Sequence, residues 1–256
     1  MQPLHETTFF TAVISLSFLL AGGTFITLFY INAPYGRHIR QGWGPRVPDR
    51  LGWLVMESLS ALLFAWLFLL GDAPKSLPLF VFLGMWEAHY FHRAFIYPFS
   101  IADGRKFMPV LIPLMALGFN AGNAYLNGEY LFSLSGGYPV AWITDPRFII
   151  GLGLFAAGYA TNRWADRALL KLRAPGETGY KIPYGGLFKW ISCPNYFGEI
   201  IEWIGWAVAT WSLPGLTFAV WTVANLVPRA RAHHAWYRAN FADYPEGRKA
   251  LIPGVW

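Results

Sequence analysis

Charged side chains are scarce in this sequence. They make up 13% of its 256 residues, whereas hydrophobic residues make up 55%, and soluble domains usually carry roughly 25% charged residues. Mean hydropathy is correspondingly positive, at +0.35. A soluble domain does not need many apolar runs of about 20 residues, which is the length that spans a bilayer. The composition therefore predicts an all-α, polytopic integral membrane protein, which we expect to form one domain over residues 1–256.

Cysteine is almost absent as well. Cys193 stands alone, which excludes an internal disulfide and a cysteine-based metal site. The histidines form no tight ligand cluster, and the adjacent pair His233-His234 cannot point the same way on a helix, so we expect no metal. The start MQPLHETTFF lacks the basic residues of a cleavable signal peptide, and no internal repeat is visible.

Seven apolar segments follow one another along the chain. They lie at 8–32, 51–70, 77–98, 108–126, 147–165, 196–212 and 214–232. Nearly all lysines and arginines fall on alternate connections, and only Lys75 and Arg147 lie on the opposite set. Because basic residues stay on the cytoplasmic side, this pattern predicts seven transmembrane helices with the N-terminus outside and the C-terminus cytoplasmic. The net charge of +6 therefore reflects topology and predicts no nucleic-acid partner.

Two carboxylates interrupt the apolar, tryptophan-rich stretch 196–213. Glu199 and Glu202 are three residues apart, so they share one face of a helix. An ionised group at the centre of a membrane helix costs roughly 2.5–3.5 kcal/mol, so this face is expected to turn toward a buried site. A structural pair satisfied by neighbouring helices is the alternative interpretation.

Polar side chains also interrupt the other apolar segments. They include Glu57, His89, Tyr90, Arg93, Asn120, Asn123, Asn162, Asp166, Arg229, His233 and Tyr237. Most of them fall in the cytoplasmic half of the predicted bilayer. This distribution predicts a cavity that opens to the cytosol and is capped by the loop 171–195.

The loop 171–195 is basic and rich in glycine and proline, so it is expected to be irregular. It ends where a helix is expected to begin, near Pro194-Asn195. Free N–H groups and the helix dipole at such a point favour an anion, for example a phosphorylated cofactor. Contact with anionic lipid headgroups is the alternative.

Two glycine patterns call for structural interpretations. The residues 151–156 match the dinucleotide fingerprint GxGxxA, but they lie inside an apolar run with no βαβ unit, so they are not expected to bind a nucleotide. Gly118 and Gly122 are four residues apart, a spacing that favours close packing of two helices.

Four stretches carry a likeness to a known family: HYFHRAFIYP (89–98), LRAPGETGYKIPYGGLF (172–188), PNYFGEIIEWIGWAVATWSLP (194–214) and YRANFADYPEGRKALIPGVW (237–256). They resemble the steroid 5α-reductase family, and the resemblance runs over essentially the whole chain. Sterol reductases and isoprenylcysteine carboxyl methyltransferases share only a looser version around Asn195–Glu202. The resemblance implies a seven-helix membrane enzyme that uses NADPH to reduce the Δ4 double bond of a 3-oxosteroid.

The resemblance also implies two catalytic residues. Tyr90 matches the tyrosine of the family, and Glu57 matches its glutamate on the second helix. A conjugated ketone accepts hydride only when the charge developing on its oxygen is stabilised, which a phenol oriented by a neighbouring carboxyl can do. Trp53, one turn before Glu57, is expected to line the steroid pocket, and an aromatic residue of the core or of the membrane interface is the alternative. Met56 stands where well-known members have glutamine.

Nine positions match cofactor-binding residues of the family. They are Asn162, Asp166, Arg173, Tyr180, Asn195, Glu199, Arg229, His233 and Tyr237, and we add Arg105 to this set on the basis of its charge. Amides and carboxylates suit the amide and ribose hydroxyls of NADPH, and guanidinium groups suit its phosphates.

Other functions stay open on the sequence alone. A membrane methyltransferase would use S-adenosylmethionine, which has no phosphate to pair with the arginines. A reductase of another enone lipid fits the same residues, whereas a proton-coupled transporter usually has inverted repeats. We expect the protein to lie in a bacterial inner membrane or in the membrane of the endoplasmic reticulum, with its active site open to the cytoplasm. We expect its substrate to be a hydrophobic small molecule.

Overall fold

Helices dominate the computed structural model, which describes residues 4–101, 107–172, 177 and 179–256. The long helices are α1 (Leu4–Tyr30), α2 (Asp49–Leu70), α3 (Leu77–Phe91), α5 (Leu111–Glu129), α6 (Pro146–Lys171), α7 (Pro194–Thr210) and α8 (Leu213–Asn240). A π-helical turn, His92–Ile96, and the short helix α4 (Tyr97–Ser100) continue α3, and another π-helical turn, Tyr130–Leu134, continues α5. Each of the seven predicted apolar segments therefore coincides over most of its length with one of these helices.

The surface of the bundle is strongly apolar. Within the described ranges, Thr8–Tyr30 and Asp49–Leu70 are long and apolar enough to cross a membrane. Large apolar side chains also point outward, such as Leu19 and Leu69, each 73% exposed. A polytopic membrane protein fits these features, while the seven spans and the orientation of the termini stay predictions.

A small two-stranded ribbon departs from the all-α prediction. β1 (Arg46–Pro48) pairs antiparallel with β2 (Phe107–Pro109), so that Val47 lies opposite Met108. The ribbon joins the chain just before α2 to the chain just before α5. Each strand is only three residues long and contains a proline, so neither shows the alternating pattern from which a strand is predicted.

Glycines bring α6 and α7 unusually close together. A Cβ at Gly151 would overlap the backbone of Ala209, and one at Gly158 would overlap the backbone of Glu202. Gly151 lies inside α6, which confirms that its GxGxxA pattern is not a nucleotide-binding turn. The expectation for Gly118 and Gly122 is wrong, because a Cβ at either position would meet no described atom within 4 Å.

An aromatic core fills the space between α2, α3 and α7. Phe64, Trp86 and Trp206 have no exposed surface. The rings of Phe64 and Trp86 stack with centroids 4.3 Å apart, and those of Trp86 and Trp206 are 5.3 Å apart. Trp86 lies one turn before Tyr90 on α3, so this packed core supports Tyr90 and the polar residues next to it.

The C-terminal segment fixes the start of α7. Ser192 donates its backbone N–H to the Lys249 carbonyl oxygen at 2.8 Å, and Lys249 donates to that of Trp190 at 2.9 Å. Cys193 follows as a buried free thiol. The backbone is therefore hydrogen-bonded to the C-terminal segment immediately before Pro194, where α7 begins.

Candidate functional site

Glu57 lies on α2 and is approached from α5. The Asn120 amide nitrogen lies 2.6 Å from the Met56 carbonyl oxygen and 3.5 Å from Glu57 Oε2. A carbonyl oxygen can only accept, so the atom of Asn120 that faces it is a donor. The carboxyl of Glu57 is therefore held in place by a neighbouring helix, and Met56 contributes only its backbone.

Tyr90 faces the same space from α3. Its side chain is 3% exposed, and its hydroxyl interacts with Glu57, Ser60 and Asn123. The Trp86 indole donates to the Ser60 carbonyl oxygen at 3.2 Å, which holds the polar turns of α2 and α3 against each other. The phenol and the Glu57 carboxyl thus share one buried space between α2, α3 and α5.

The two carboxylates of α7 turn inward, as their spacing predicts. Glu202 has no exposed surface, and its Oε1 lies 2.8 Å from Nδ1 of the buried His89 on α3. Glu199 accepts from the Asn162 amide at 3.1 Å. One face of α7 therefore meets polar partners on both α3 and α6.

A network of amides and charged groups surrounds the first turn of α7. Asn195 donates from Nδ2 to Asp166 Oδ1 at 3.1 Å, and Asn162 donates to the Asn195 carbonyl oxygen at 3.1 Å. Arg93, in the π-helical turn, contacts Asp166 Oδ2 at 3.4 Å. The structure therefore brings together four of the predicted cofactor residues, namely Asn162, Asp166, Asn195 and Glu199.

Trp53, one turn before Glu57 on α2, contacts Arg93 of this network. The Arg93 guanidinium lies over its ring, 4.7 Å from the centroid, and the Tyr97 ring meets it edge-on at 5.5 Å. Cation–π contacts of this kind fix both partners. The indole therefore forms a partly buried wall rather than a free lipid-facing side chain.

A cavity of about 170 Å³ opens beside the amide network. Its lining includes Asn32, Tyr35, Arg37, His38, Tyr180, Tyr196, Arg229 and His233. Arg229 donates to the Tyr196 hydroxyl at 3.0 Å, and that hydroxyl lies 3.0 Å from Nε2 of His233. Tyr196 is adjacent to Asn195 in the chain, so the first turn of α7 joins the cavity to the amide network.

His38 completes this cluster from the loop after α1. Its Nε2 lies 3.0 Å from Nδ1 of His233, and the two rings stack with centroids 5.0 Å apart. Burial lowers the pKa of His38 to about 4, with further lowering by Arg37, Arg229 and Arg40. His38 is therefore neutral at pH 7, and the arginines supply the positive charge of the cavity.

Tyr237 lies behind the cavity and acts on it through Arg37. The Arg37 guanidinium lies over the Tyr237 ring at 4.4 Å and over the Tyr180 ring at 4.9 Å, and it donates to the Tyr237 hydroxyl at 3.3 Å. Two predicted residues, Tyr180 and Tyr237, therefore hold an arginine that the sequence did not single out as functional.

The predicted cap of the cavity is only partly as expected. Among the lining residues, the loop 171–195 contributes Tyr180, while the segment 32–38 contributes most of the wall opposite α8. Arg105 and Arg173 lie outside the described residues. Sequence reasoning missed Tyr35, Arg37, His38 and Tyr196; the one available signal was the glycine-punctuated basic stretch APYGRH directly after the first apolar segment.

Chemically, the site has two distinct ends. The cavity offers guanidinium groups and aromatic rings, which suit phosphates and a flat heterocycle. The space at Glu57 and Tyr90 offers a buried phenol beside a carboxyl, which suits a carbonyl oxygen that gains negative charge. The amide network adjoins the cavity through the first turn of α7, and its Arg93 contacts Trp53 on α2, the helix that carries Glu57.

Comparison with known proteins shows which family the chain belongs to. Residues 106–256 match the family model described as 3-oxo-5-alpha-steroid 4-dehydrogenase. The chain is 42% identical over 258 residues to steroid 5-alpha-reductase DET2 of Gossypium hirsutum, with 98% of each chain covered. The chain belongs to the steroid 5-alpha-reductase family.

Animal members of the steroid 5-alpha-reductase family are similar to the chain to the same degree. It is 45% identical over 224 residues to 3-oxo-5-alpha-steroid 4-dehydrogenase 1 of Homo sapiens, covering 87% of this chain and 86% of the relative. It is 46% identical over 213 residues to 3-oxo-5-alpha-steroid 4-dehydrogenase 2 of Sus scrofa, covering 82% of each. The resemblance in the four motifs is thus confirmed at the level of the family, whose members are oxidoreductases acting on CH–CH groups.

Proposed function

We propose that this protein uses NADPH to reduce the Δ4 double bond of a 3-oxosteroid. The observation that carries the proposal is the buried Tyr90 phenol beside Glu57, connected through Trp53 and the amide network to a cavity that contains arginines. This arrangement supplies a donor for a ketone at one end and cations for phosphates at the other.

Tyr90 is the group that polarises the substrate. Bound NADPH would supply a hydride to C5, the β-carbon of the enone. As that bond forms, the π electrons of the double bond shift toward the 3-keto oxygen, where the Tyr90 hydroxyl donates a hydrogen bond to the developing charge. Glu57, held by Asn120, orients the phenol. Protonation at C4 then gives the saturated ketone, so one hydride and one proton are consumed.

The residues present fit the cofactor. Arg37 and Arg229 line a cavity of about 170 Å³ and would neutralise phosphates, since guanidinium groups bind phosphate bidentately. Asn162, Asn195 and Glu199 form a hydrogen-bonding surface that suits an amide and ribose hydroxyls. S-adenosylmethionine has no phosphate for these arginines, so the cavity favours NADPH.

We further propose an integral membrane location with the cavity facing the cytoplasm. The apolar outer surface suits the bilayer, and a steroid would enter from it. The arginines of the cavity follow the basic side of the predicted topology.

The proposal is tested with purified protein in detergent by following NADPH absorbance with a panel of enones. We expect oxidation of NADPH with 3-oxo-Δ4-steroids and none with the matching steroid that lacks the 4,5 double bond. Thermal stabilisation by NADPH, and not by S-adenosylmethionine, is expected in parallel. Turnover only with a non-steroid enone lipid would keep the reductase but change its substrate, and stabilisation by S-adenosylmethionine alone would contradict the proposal.

A further inference from the structure

A line of three buried hydrogen-bonding side chains runs from α7 through α5 toward Tyr90. The Trp206 indole donates to Asn127 Oδ1 at 2.8 Å. Asn127 then donates from Nδ2 to Asn123 Oδ1 at 3.1 Å and to the Asn123 carbonyl oxygen at 3.0 Å. Trp206 is 0%, Asn127 1% and Asn123 6% exposed, so water does not compete for these bonds.

The direction of this line is determined by its first member. An indole N–H can only donate, so the Asn127 atom that faces Trp206 must be its oxygen. The Asn127 nitrogen must then face Asn123, and for the same reason the Asn123 atom that it meets is the oxygen. Each amide is thereby fixed in one of its two orientations, and the Asn123 nitrogen is left pointing away from Asn127.

That nitrogen has no hydrogen-bond partner among the described residues, although it is buried. Leaving a buried donor without a hydrogen bond is destabilising, so such a group in a folded protein calls for an explanation. Besides Asn127, Asn123 also interacts with the Tyr90 hydroxyl, yet the Asn123 nitrogen and the Tyr90 oxygen do not meet the geometry of a formed hydrogen bond. Ser60 also interacts with the phenol, but its hydroxyl can both donate and accept, so Ser60 does not determine which way the Tyr90 hydroxyl points.

We propose that Asn123 is a positioning residue for the reaction, and that Trp206 and Asn127 set its orientation. In the complex with substrate, the Asn123 N–H donates to the Tyr90 oxygen. The phenolic proton is then left to point at the ketone oxygen, and the phenol becomes a stronger donor because hydrogen bonds in a chain polarise one another. This inference rests on the proposed function, because it assigns Tyr90 the role of ketone donor.

The first test compares substitutions that break the Trp206–Asn127–Asn123 relay with a matched substitution outside it. Asn123→Leu keeps the volume and removes the donor, and Trp206→Phe removes the indole N–H. We expect kcat to fall about three- to tenfold in each, the loss of one ordinary hydrogen bond, while the KM for NADPH is unchanged. Trp142→Phe is the control, since that indole donates to the Ala209 carbonyl oxygen at 3.0 Å and has no link to Tyr90.

A second measurement does not depend on turnover. In protein carrying isotope-labelled tyrosine, the C–O stretching band of Tyr90 is identified by subtracting the spectrum of Tyr90→Phe. It reports whether the oxygen accepts a hydrogen bond, and it is measured with a saturated 3-oxosteroid present and without it. With the steroid present, we expect the band in Asn123→Leu and in Trp206→Phe to be shifted from its position in the unsubstituted protein, and the band in Trp142→Phe to be unshifted.

The inference is overturned if both relay variants fold and keep their kcat, if only the KM for the steroid changes, or if the Tyr90 band is the same in all variants. An inactive unsubstituted protein would instead refute the proposed function, and the infrared bands would still decide whether the relay acts on Tyr90.

Discussion

Replacing Tyr90 with phenylalanine isolates the hydroxyl group on which the proposed chemistry depends. The Tyr90 ring is 3% exposed and packs against Trp86 with centroids 4.9 Å apart and against Trp203 at 6.0 Å. Phenylalanine keeps both ring contacts, so the fold and the arginine-lined cavity are expected to survive. Only the donor aimed at the ketone is lost.

The size of the effect follows from what one such donor contributes. Removing a single hydrogen-bond donor to a developing oxyanion typically lowers kcat by about 10²–10³-fold. We therefore expect a kcat reduced by that factor in Tyr90→Phe with a 3-oxo-Δ4-steroid. NADPH should still raise the unfolding temperature as in the unsubstituted protein, because Tyr90 does not line the cavity.

The assay is NADPH oxidation at saturating steroid, beside thermal unfolding with and without NADPH. Tyr138→Phe is the matched control: it also removes a phenol hydroxyl, one that donates to the Thr210 carbonyl oxygen at 2.6 Å. We expect it to lower stability and leave kcat intact. A Tyr90→Phe protein that turns over within a fewfold of the unsubstituted rate would refute the assignment of Tyr90 as the ketone donor.

Three further predictions concern packing, the cofactor cavity and pH. Gly158→Ala should lower the unfolding temperature, because a Cβ there overlaps the Glu202 backbone and overpacking costs about 1–3 kcal/mol. Gly153 lies on the same helix with open space around it, so Gly153→Ala should leave the unfolding temperature unchanged. Equal effects of the two substitutions would contradict the packing argument. Arg229→Ala should weaken NADPH binding, measured by titration, about ten- to hundredfold, as expected for the loss of a charged hydrogen bond. Arg231 lies over the Phe29 ring on the outer surface, so the Arg231→Ala protein should bind NADPH normally. The reverse result would exclude Arg229 from the site. The pKa of His38 is lowered to about 4 in the folded protein, so its stabilising contribution is complete above the unfolded value of 6.5 and is lost as pH falls toward 4. The unfolding temperature should therefore drop less between pH 7 and pH 5 in His38→Gln than in the unsubstituted protein. The difference should be modest because His38 is only partly buried, and parallel curves would show that His38 does not carry this dependence.

Much of the candidate site follows from the sequence. The spacing of Glu199 and Glu202 predicts a shared inward face, and both meet buried polar partners. Asn162, Asp166 and Asn195, which the family motifs single out, lie in one network. These contacts have one physical reason: a polar side chain in an apolar helix must find a partner inside the bundle.

Other features depend on contacts between distant segments. Asn120 was visible only as an intramembrane polar residue, yet it contacts Glu57 of another helix. Gly118 and Gly122 matched a packing motif but face open space, whereas Gly151 and Gly158 pack tightly without being predicted to do so. The rotation of each helix about its axis decides such outcomes, and glycine spacing alone does not determine it.

The sequence by itself determined the helices of membrane length, their alternating basic connections and the set of polar residues that the family motifs share. Hydropathy and residue spacing are local properties, so they can be evaluated from the sequence without knowledge of the fold. Only the tertiary structure decided that the segment after α1 lines the arginine cavity, that a ribbon joins the starts of α2 and α5, and that Trp206 fixes the orientation of two amides on α5. Each of these features arises where residues far apart in the chain meet, and the direction of a hydrogen bond exists only once both partners are in place.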